Sequence, residues 1–208
     1  MPRVLTRPLT PARWPDLEAL FGERGACGGC WCMYWRVPKG VSWGLLQGAP
    51  AKRAFRALVA AGRARGVLAY VDGEPVGWCA LGPRQEFDKL DRAPSLRCDD
   101  APRVGAIPCF FIRRDFRRMG VGRTLLEAAV KELARNRRLE VAEGYPVRPS
   151  RPGGRIPDAF AWTGTASLFR AAGFTLAGNR GGGKQRWRKA LRGAGPAPKR
   201  ARRAGATS

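Results

Sequence analysis

The chain has 208 residues, 44% of them hydrophobic, with six cysteines, no histidine and a formal charge of +23 at pH 7. That length and apolar content suit one globular domain, and no apolar run approaches the roughly 18 residues a membrane helix needs. The absence of histidine excludes Ser-His-Asp, Cys-His and two-His zinc hydrolases, and leaves carboxylates, tyrosine or water to move protons.

In chain order, residues 3–9 predict a first strand around Val4 and Leu5. Pro15 then opens a short helix through Leu17, Leu20 and Phe21, with Asp16 and Glu18 in its first turn. A Gly/Cys/Trp segment runs from Cys27 to Trp43. Pro50 introduces a second helix, in which Ala54, Phe55, Leu58 and Val59 recur at helical spacing. Residues 67–81 form the clearest hairpin, two β-rich runs around Asp72-Gly73. Residues 83–105 are polar and proline-punctuated, and predict a long surface connection with one helical turn. Ile107-Pro108-Cys109-Phe110-Phe111-Ile112 is a continuous apolar run, as in a strand buried on both faces.

A helix over 121–136 follows, with Val121, Leu125, Ala129, Val130 and Leu133 on one stripe. Leu139 to Tyr145 predicts a strand, and residues 146–157 a Pro/Gly/Arg-rich loop. Thr165 to Ala172 predicts a short helix stopped by Gly173. A last hairpin pairs 174–177 with 185–190. The expected domain is therefore 1–190, with a basic, disordered tail over 191–208.

Only seven of the 39 basic residues are lysine, and with so much Ala, Gly and Pro the arginine excess reads as GC-rich coding. The charge is spread along the chain without an aromatic-interleaved basic stripe, so nucleic acid is the weaker reading of it. Such a field still attracts any polyanion. The segment Met1 to Arg7 lacks the apolar stretch of a signal peptide, so a cytoplasmic location with reduced cysteines is expected.

The unit that carries chemistry is Arg113-Arg114-Asp115-Phe116-Arg117-Arg118-Met119-Gly120-Val121-Gly122-Arg123-Thr124, placed between a buried strand and an amphipathic helix. A helix start leaves backbone N–H groups unpaired and carries partial positive charge. Gly120 and Gly122 let the backbone approach a phosphate, and Arg117, Arg118 and Arg123 add charge. A dinucleotide fingerprint would need a third glycine where Leu125 stands. A P-loop fails at Gly183-Lys184-Gln185, which lacks the following Ser or Thr.

On these residues the segment from Ile107 to Asn136 resembles the coenzyme A-binding motif of the GCN5-related N-acetyltransferase (GNAT) superfamily. Ser167-Leu168-Phe169-Arg170-Ala171-Ala172-Gly173-Phe174 is similar to that family's penultimate helix with its Gly-Phe ending. The resemblance implies an α/β fold with a mixed (α+β) sheet splayed open beside the strand ending at Ile112, and acetyl-CoA as co-substrate. It implies that backbone groups of Phe111, Ile112 and Arg113 face the pantetheine, and that N–H groups across Arg118, Met119, Gly120, Val121, Gly122, Arg123 and Thr124 hold the pyrophosphate.

The implied reaction is acetyl transfer to an amine of a small molecule or protein by direct attack in a ternary complex, with no membrane partner. A homodimer is also allowed. A strand N–H near Phe111 would polarise the thioester carbonyl. Glu140 and Glu143 bracket the strand that follows. Glu143 lies nearer the split and is the candidate base, set against a plain surface glutamate; Tyr145 is the candidate acid, set against strand-end packing. Many family members place a tyrosine acid four residues before the Gly-Phe glycine, where this chain has Phe169. That departure and the basic tail leave a second reading, a coenzyme A-binding or nucleic-acid-associated protein without catalysis.

Cys27-Gly28-Gly29-Cys30-Trp31-Cys32 offers three thiolates, whereas a closed zinc site needs four ligands, the fourth from Cys98 or Cys79. No metal is assigned, and zinc is the minority reading. The alternative sets Trp31, Tyr34 and Trp35 as walls of the acceptor site, weighed equally against packing over the sheet.

Overall fold

The computed structural model describes residues 3–147, 156, 158–178 and 183–192. In chain order the elements are β1 (Leu5–Pro8), α1 (Trp14–Phe21), α2 (Trp43–Leu46), α3 (Ala49–Ala60), β2 (Arg65–Val71) and β3 (Glu74–Pro83). They continue with α4 (Asp88–Arg92), β4 (Val104–Ile112), α5 (Val121–Ala134), β5 (Val141–Gly144), α6 (Ala166–Ala171), β6 (Thr175–Gly178) and β7 (Arg186–Ala190). The tail from residue 193 and most of the 146–157 loop lie outside the described residues. Among those described, no helix is long and apolar enough to cross a membrane.

The strands form one mixed sheet in the order β1-β2-β3-β4-β5-β7-β6. The pair β4–β5 is parallel, with α5 as its crossover, and every other pair is antiparallel. The β2–β3 hairpin turns at Asp72 (φ 50°) and Gly73 (φ 85°), the two successive left-handed residues that a tight hairpin turn needs.

Alternation along the strands sorts the core onto two faces. Val67, Ala69 and Val71 of β2 pack with the apolar stripe of α5, whose Val121, Leu125, Leu126, Ala129 and Leu133 are almost wholly buried. Leu68 of β2 packs on the opposite face with Trp14, Leu17 and Phe21 of α1 and Phe55 and Val59 of α3. β4 serves both faces: Ile107 and Phe110 join the first cluster, Cys109 and Phe111 the second. Each buried Leu, Val or Phe of this kind contributes about 1.5–3 kcal/mol.

The long connection 83–105 holds more structure than its polarity predicts. It contains α4 and three single helical turns, tied down by Phe87, Leu90 and Leu96, each at most 1% exposed. Three apolar anchors in a polar stretch carry no periodicity, so composition alone reads as loop.

The sheet splits where the ladder loses its donors. β4 and β5 pair from Val104↔Val141 to Ile107↔Gly144 and no further. Beyond that point stand Pro108 in β4 and Pro146 after β5, neither with an N–H to give. The chain after β5 instead follows its other neighbour: Gln185 N–H donates to Pro146 C=O at 2.9 Å, and Val147 bridges Lys184. Among the described residues, no strand pairs with the upper half of β4 on that side.

Candidate active site

That edge of β4 leads to the start of α5. Backbone groups alternate sides along a strand, and Arg113 N–H donates to Val76 C=O of β3 at 3.0 Å. Arg113 and Phe111 therefore face β3, while Phe110 and Ile112 turn their N–H and C=O groups toward the split. Of the three residues expected to meet an extended ligand through the backbone, alternation leaves Ile112 and brings in Phe110; Phe111 and Arg113 are committed to the sheet. The Arg113 side chain pairs with Glu74 at 3.0 Å.

The loop after β4 turns through two left-handed residues, Arg118 (φ 64°) and Gly120 (φ 85°). At Gly120 a side chain would meet no atom within 4 Å, so this glycine is required by conformation and leaves the space before the helix clear. Thr124 N–H donates to Gly120 C=O at 3.1 Å, and the first turn leaves Val121, Gly122 and Arg123 without a helical carbonyl to bond. Arg117 Nε donates to Ile112 C=O at 3.2 Å, which folds that side chain back over the strand end. Arg123 pairs with Glu127 at 2.8 Å along the exposed helix face.

A cleft of about 590 Å³ joins these parts, lined among others by Phe110, Ile112, Arg117, Gly120, Gly122 and, from the far wall, Trp162, Gly164 and Thr165. Thr165 caps α6 by accepting from Leu168 N–H at 3.2 Å. The half-buried Ala26 and the exposed Cys27 line the cleft as well. An extended ligand with a phosphate at one end fits this shape: strand backbone with no strand partner among the described residues, apolar walls, then N–H groups outside the helical ladder at a positive helix end.

Glu143 and Tyr145 have no exposed surface. Both converge on Arg84, itself fully buried at the end of β3. Arg84 Nη1 donates to Glu143 Oε1 and to the Tyr145 hydroxyl, each at 2.9 Å. Its Nη2 donates to Asp91 at 2.7 Å and to Leu96 C=O at 2.8 Å. The second oxygen of Glu143 takes Arg188 and, at 3.4 Å, Arg186. Burial pushes the Tyr145 hydroxyl well above the usual tyrosine range, and the Glu143 charge pushes it further. Burial alone would lower Arg84, but its interactions with Tyr145 and Glu143 outweigh it and raise its pKa. Sequence reasoning missed Arg84 because one arginine among so many, in a connection read as surface, carries no mark. Glu140 is an exposed partner of Arg103 at 3.4 Å.

Phe169 is also fully buried. Its ring meets Phe110 at 6.1 Å and Phe174 at 5.1 Å between centroids. A side chain at Gly144 would come within 2.1 Å of that ring, so Gly144 exists to admit it.

The three aromatic residues expected to wall an acceptor part company. Trp31, 2% exposed, stacks on Trp14 at 5.9 Å and packs against Phe21 in the core. Tyr34 and Trp35 instead line a second cavity of about 350 Å³ with Lys89, Arg92 and Lys184. Trp35 Nε1 donates to Pro108 C=O at 3.1 Å, anchoring it to the split. Trp162 stands between the two cavities, 5.7 Å from Trp35 and 5.4 Å from Tyr34. Nothing in its sequence neighbourhood marks Trp162.

The cysteines do not converge on a metal: among the described residues no group of three or more His, Cys, Asp or Glu could hold one. Cys32 instead accepts from Trp78 Nε1 at 2.8 Å and lies 4.0 Å from Cys109.

Comparisons with known proteins accord with this geometry. No curated protein matches the sequence. Among solved structures, the fold is similar to a ribosomal-protein-alanine N-acetyltransferase from Brucella melitensis (18% identity, 89% of this chain and 99% of that one, TM-score 0.52). It is also similar to a phosphinothricin acetyltransferase from Sinorhizobium meliloti solved with acetyl-CoA (16%, 90% and 88%, 0.53). An N-acetyltransferase from Staphylococcus aureus Mu50 gives the same TM-score of 0.53 at 10% identity, over 91% of this chain and 99% of that one. The acetyltransferase (GNAT) family matches residues 34–149, more than half the sequence, and the chain belongs to that family.

Proposed function

We propose that the chain transfers an acetyl group from acetyl-CoA to an amine by direct attack in a ternary complex. The observation that carries this reading is the continuity of the open β4 edge at Phe110 and Ile112 with the unpaired N–H groups at the start of α5. Pantetheine would extend the sheet along that edge, and its pyrophosphate would meet the N–H groups of Val121, Gly122 and Arg123. The solved relative from Sinorhizobium meliloti carries acetyl-CoA, which supports the choice of coenzyme.

The chemistry asks the protein mainly for placement. The neutral amine nitrogen attacks the thioester carbonyl carbon, the C–N bond forms and the C–S bond breaks. The thiolate takes up a proton and the new amide nitrogen gives one up, leaving an acetamide and free coenzyme A. The Phe110 N–H, facing the split, is the donor to the carbonyl oxygen as charge develops there. Glu143 and Tyr145 act as positioning residues: with Arg84 they fix β5 against the 83–105 connection. Proton exchange passes to solvent at the cleft mouth.

Calorimetry with acetyl-CoA, followed by thiol release across a panel of primary amines, tests this. Micromolar binding with turnover on at least one amine is expected. Failure of acetyl-CoA to bind removes the reading; binding without turnover on any amine favours a coenzyme-binding protein without catalysis.

A further inference from the structure

The second cavity is chemically unlike the first. Lys89 Nζ lies 3.5 Å from the centroid of the Tyr34 ring, and Lys184 Nζ lies 5.6 Å from both Trp35 and Trp162. Arg92 completes the lining, its guanidinium donating to Val37 C=O. In a chain with 39 basic residues an exposed lysine needs no explanation. These cations differ because all three are half-buried in a concavity, with Lys89 and Lys184 over aromatic faces. No described carboxylate forms an ion pair with any of the three, although acids elsewhere pair readily with arginine. Burial lowers the Lys89 pKa, helped by Arg92 and Lys184, and burial lowers that of Lys184.

Three cations gathered in a partly desolvated space, with no ion-pair partner among the described residues, repel one another, and an anion placed among them relieves that repulsion. Trp162, which lines the first cleft, packs on Tyr34 and Trp35 of this cavity, and Trp35 is anchored on Pro108 at the split. A molecule seated there would present its far end toward the thioester. At about 350 Å³ the space suits a small molecule.

Resting on the acetyltransferase reading above, we propose that the acceptor is a small amine bearing an anionic group, a carboxylate or phosphonate, which Lys89, Arg92 and Lys184 receive while Tyr34 and Trp35 wall its body. Charge-assisted bonds to such a group give the site its selectivity. An acceptor lacking the anion leaves the cations unpaired and loses affinity.

The test uses matched acceptors that differ only in the anion: amino acids against their carboxamides, and aminoalkylphosphonates against the parent alkylamines. With the full-length protein, kcat/KM from thiol release should favour the anionic member by about tenfold or more. In Lys89→Gln/Lys184→Gln that ratio should fall toward unity, chiefly through KM, with coenzyme affinity measured alongside to detect misfolding. A wild-type ratio of one or below overturns the proposal, as does a ratio that survives in the double variant. Should no amine support thiol release, the acetyltransferase reading fails first. The subsite is then judged by quenching of tryptophan fluorescence with N-acetylamino acids against their amides. Preferential binding of the acid, lost in the double variant, upholds the subsite; equal binding overturns it.

Discussion

The proposed coenzyme cleft draws its strand edge and helix start from one run of chain, Phe110 to Arg123, whereas the cationic cavity takes side chains from Tyr34, Trp35, Lys89, Arg92 and Lys184. The first end presents backbone: a strand edge without a strand partner among the described residues and the first turn of α5, positioned by Gly120 at φ 85°. The second presents side chains held by long-range contacts, such as Trp35 on Pro108 and Arg84 on Glu143. Backbone sites tolerate drift in surrounding side chains and resist only changes of conformation. Side-chain sites fail when any one support is lost. The two ends should therefore respond to different substitutions, and to different degrees.

Glu143→Gln should have the largest effect, on stability. It leaves Arg84 and Arg186, both buried, and Arg188 facing a neutral amide, and breaking a buried ion pair of this kind costs about 3–5 kcal/mol. For a chain of this size that corresponds to a melting-point drop of roughly 6–20 °C. Below the new transition, acetyl-CoA affinity should change less than about threefold, because the cradle does not lean on β5. An unchanged melting point with a hundredfold loss of kcat would instead identify Glu143 as a proton acceptor.

Gly120→Glu acts on the other end. A non-glycine residue at φ 85° costs about 1 kcal/mol, and the new carboxylate would stand beside the helix start proposed to receive phosphate. Acetyl-CoA affinity should fall by about a hundredfold, equivalent to about 2.7 kcal/mol, with only a few degrees lost in melting. Calorimetry and a thermal melt read both. Retained affinity would place the pyrophosphate elsewhere.

The same contrast decides which features the amino-acid sequence discloses. The strand–loop–helix unit and its glycines are contiguous, so the proposed cradle can be read from the sequence alone, and all seven strands are legible there to within a few residues of their ends. The sequence does not single out Phe110 over Phe111 and Arg113, because which side a backbone faces depends on pairing register with β3, a tertiary fact. Glu143 reads as a free carboxylate because its partners, Arg84, Arg186 and Arg188, lie at least 43 residues away. The Cys/Trp run, met as one motif, divides at Trp31 and Tyr34 between core and cavity, a division set by left-handed backbone at Trp31 (φ 39°) and Cys32 (φ 56°) that side-chain chemistry does not announce.

Trp162→Ala probes the joint between the ends. Trp162 lines the coenzyme cleft and packs on both Tyr34 and Trp35, so removing it should raise KM for acetyl-CoA and for the acceptor together, each by about tenfold. A rise confined to one substrate would show that the two cavities work independently.

The smallest effect concerns Cys27, whose loop meets the coenzyme cleft opposite α6. Cys27 is exposed, whereas Cys32, Cys79 and Cys109 are buried. Burial and the neighbouring Cys32 push the Cys30 thiol up to about 12, and burial also raises Cys98. Reaction follows thiolate content and access together, so a thiol reagent at pH 7.5 should modify one residue in a fast phase that Cys27→Ser abolishes. Saturating acetyl-CoA should slow that phase by about fivefold, since the ligand covers the thiol only in part. The loop reaches its position through left-handed residues at Ala26, Gly28 and Gly29, and so belongs to the cleft by conformation rather than by any contact with the cradle. If coenzyme leaves the rate unchanged, the coenzyme end consists of the β4–α5 run and α6 alone, and the cysteine segment serves only the core beneath it.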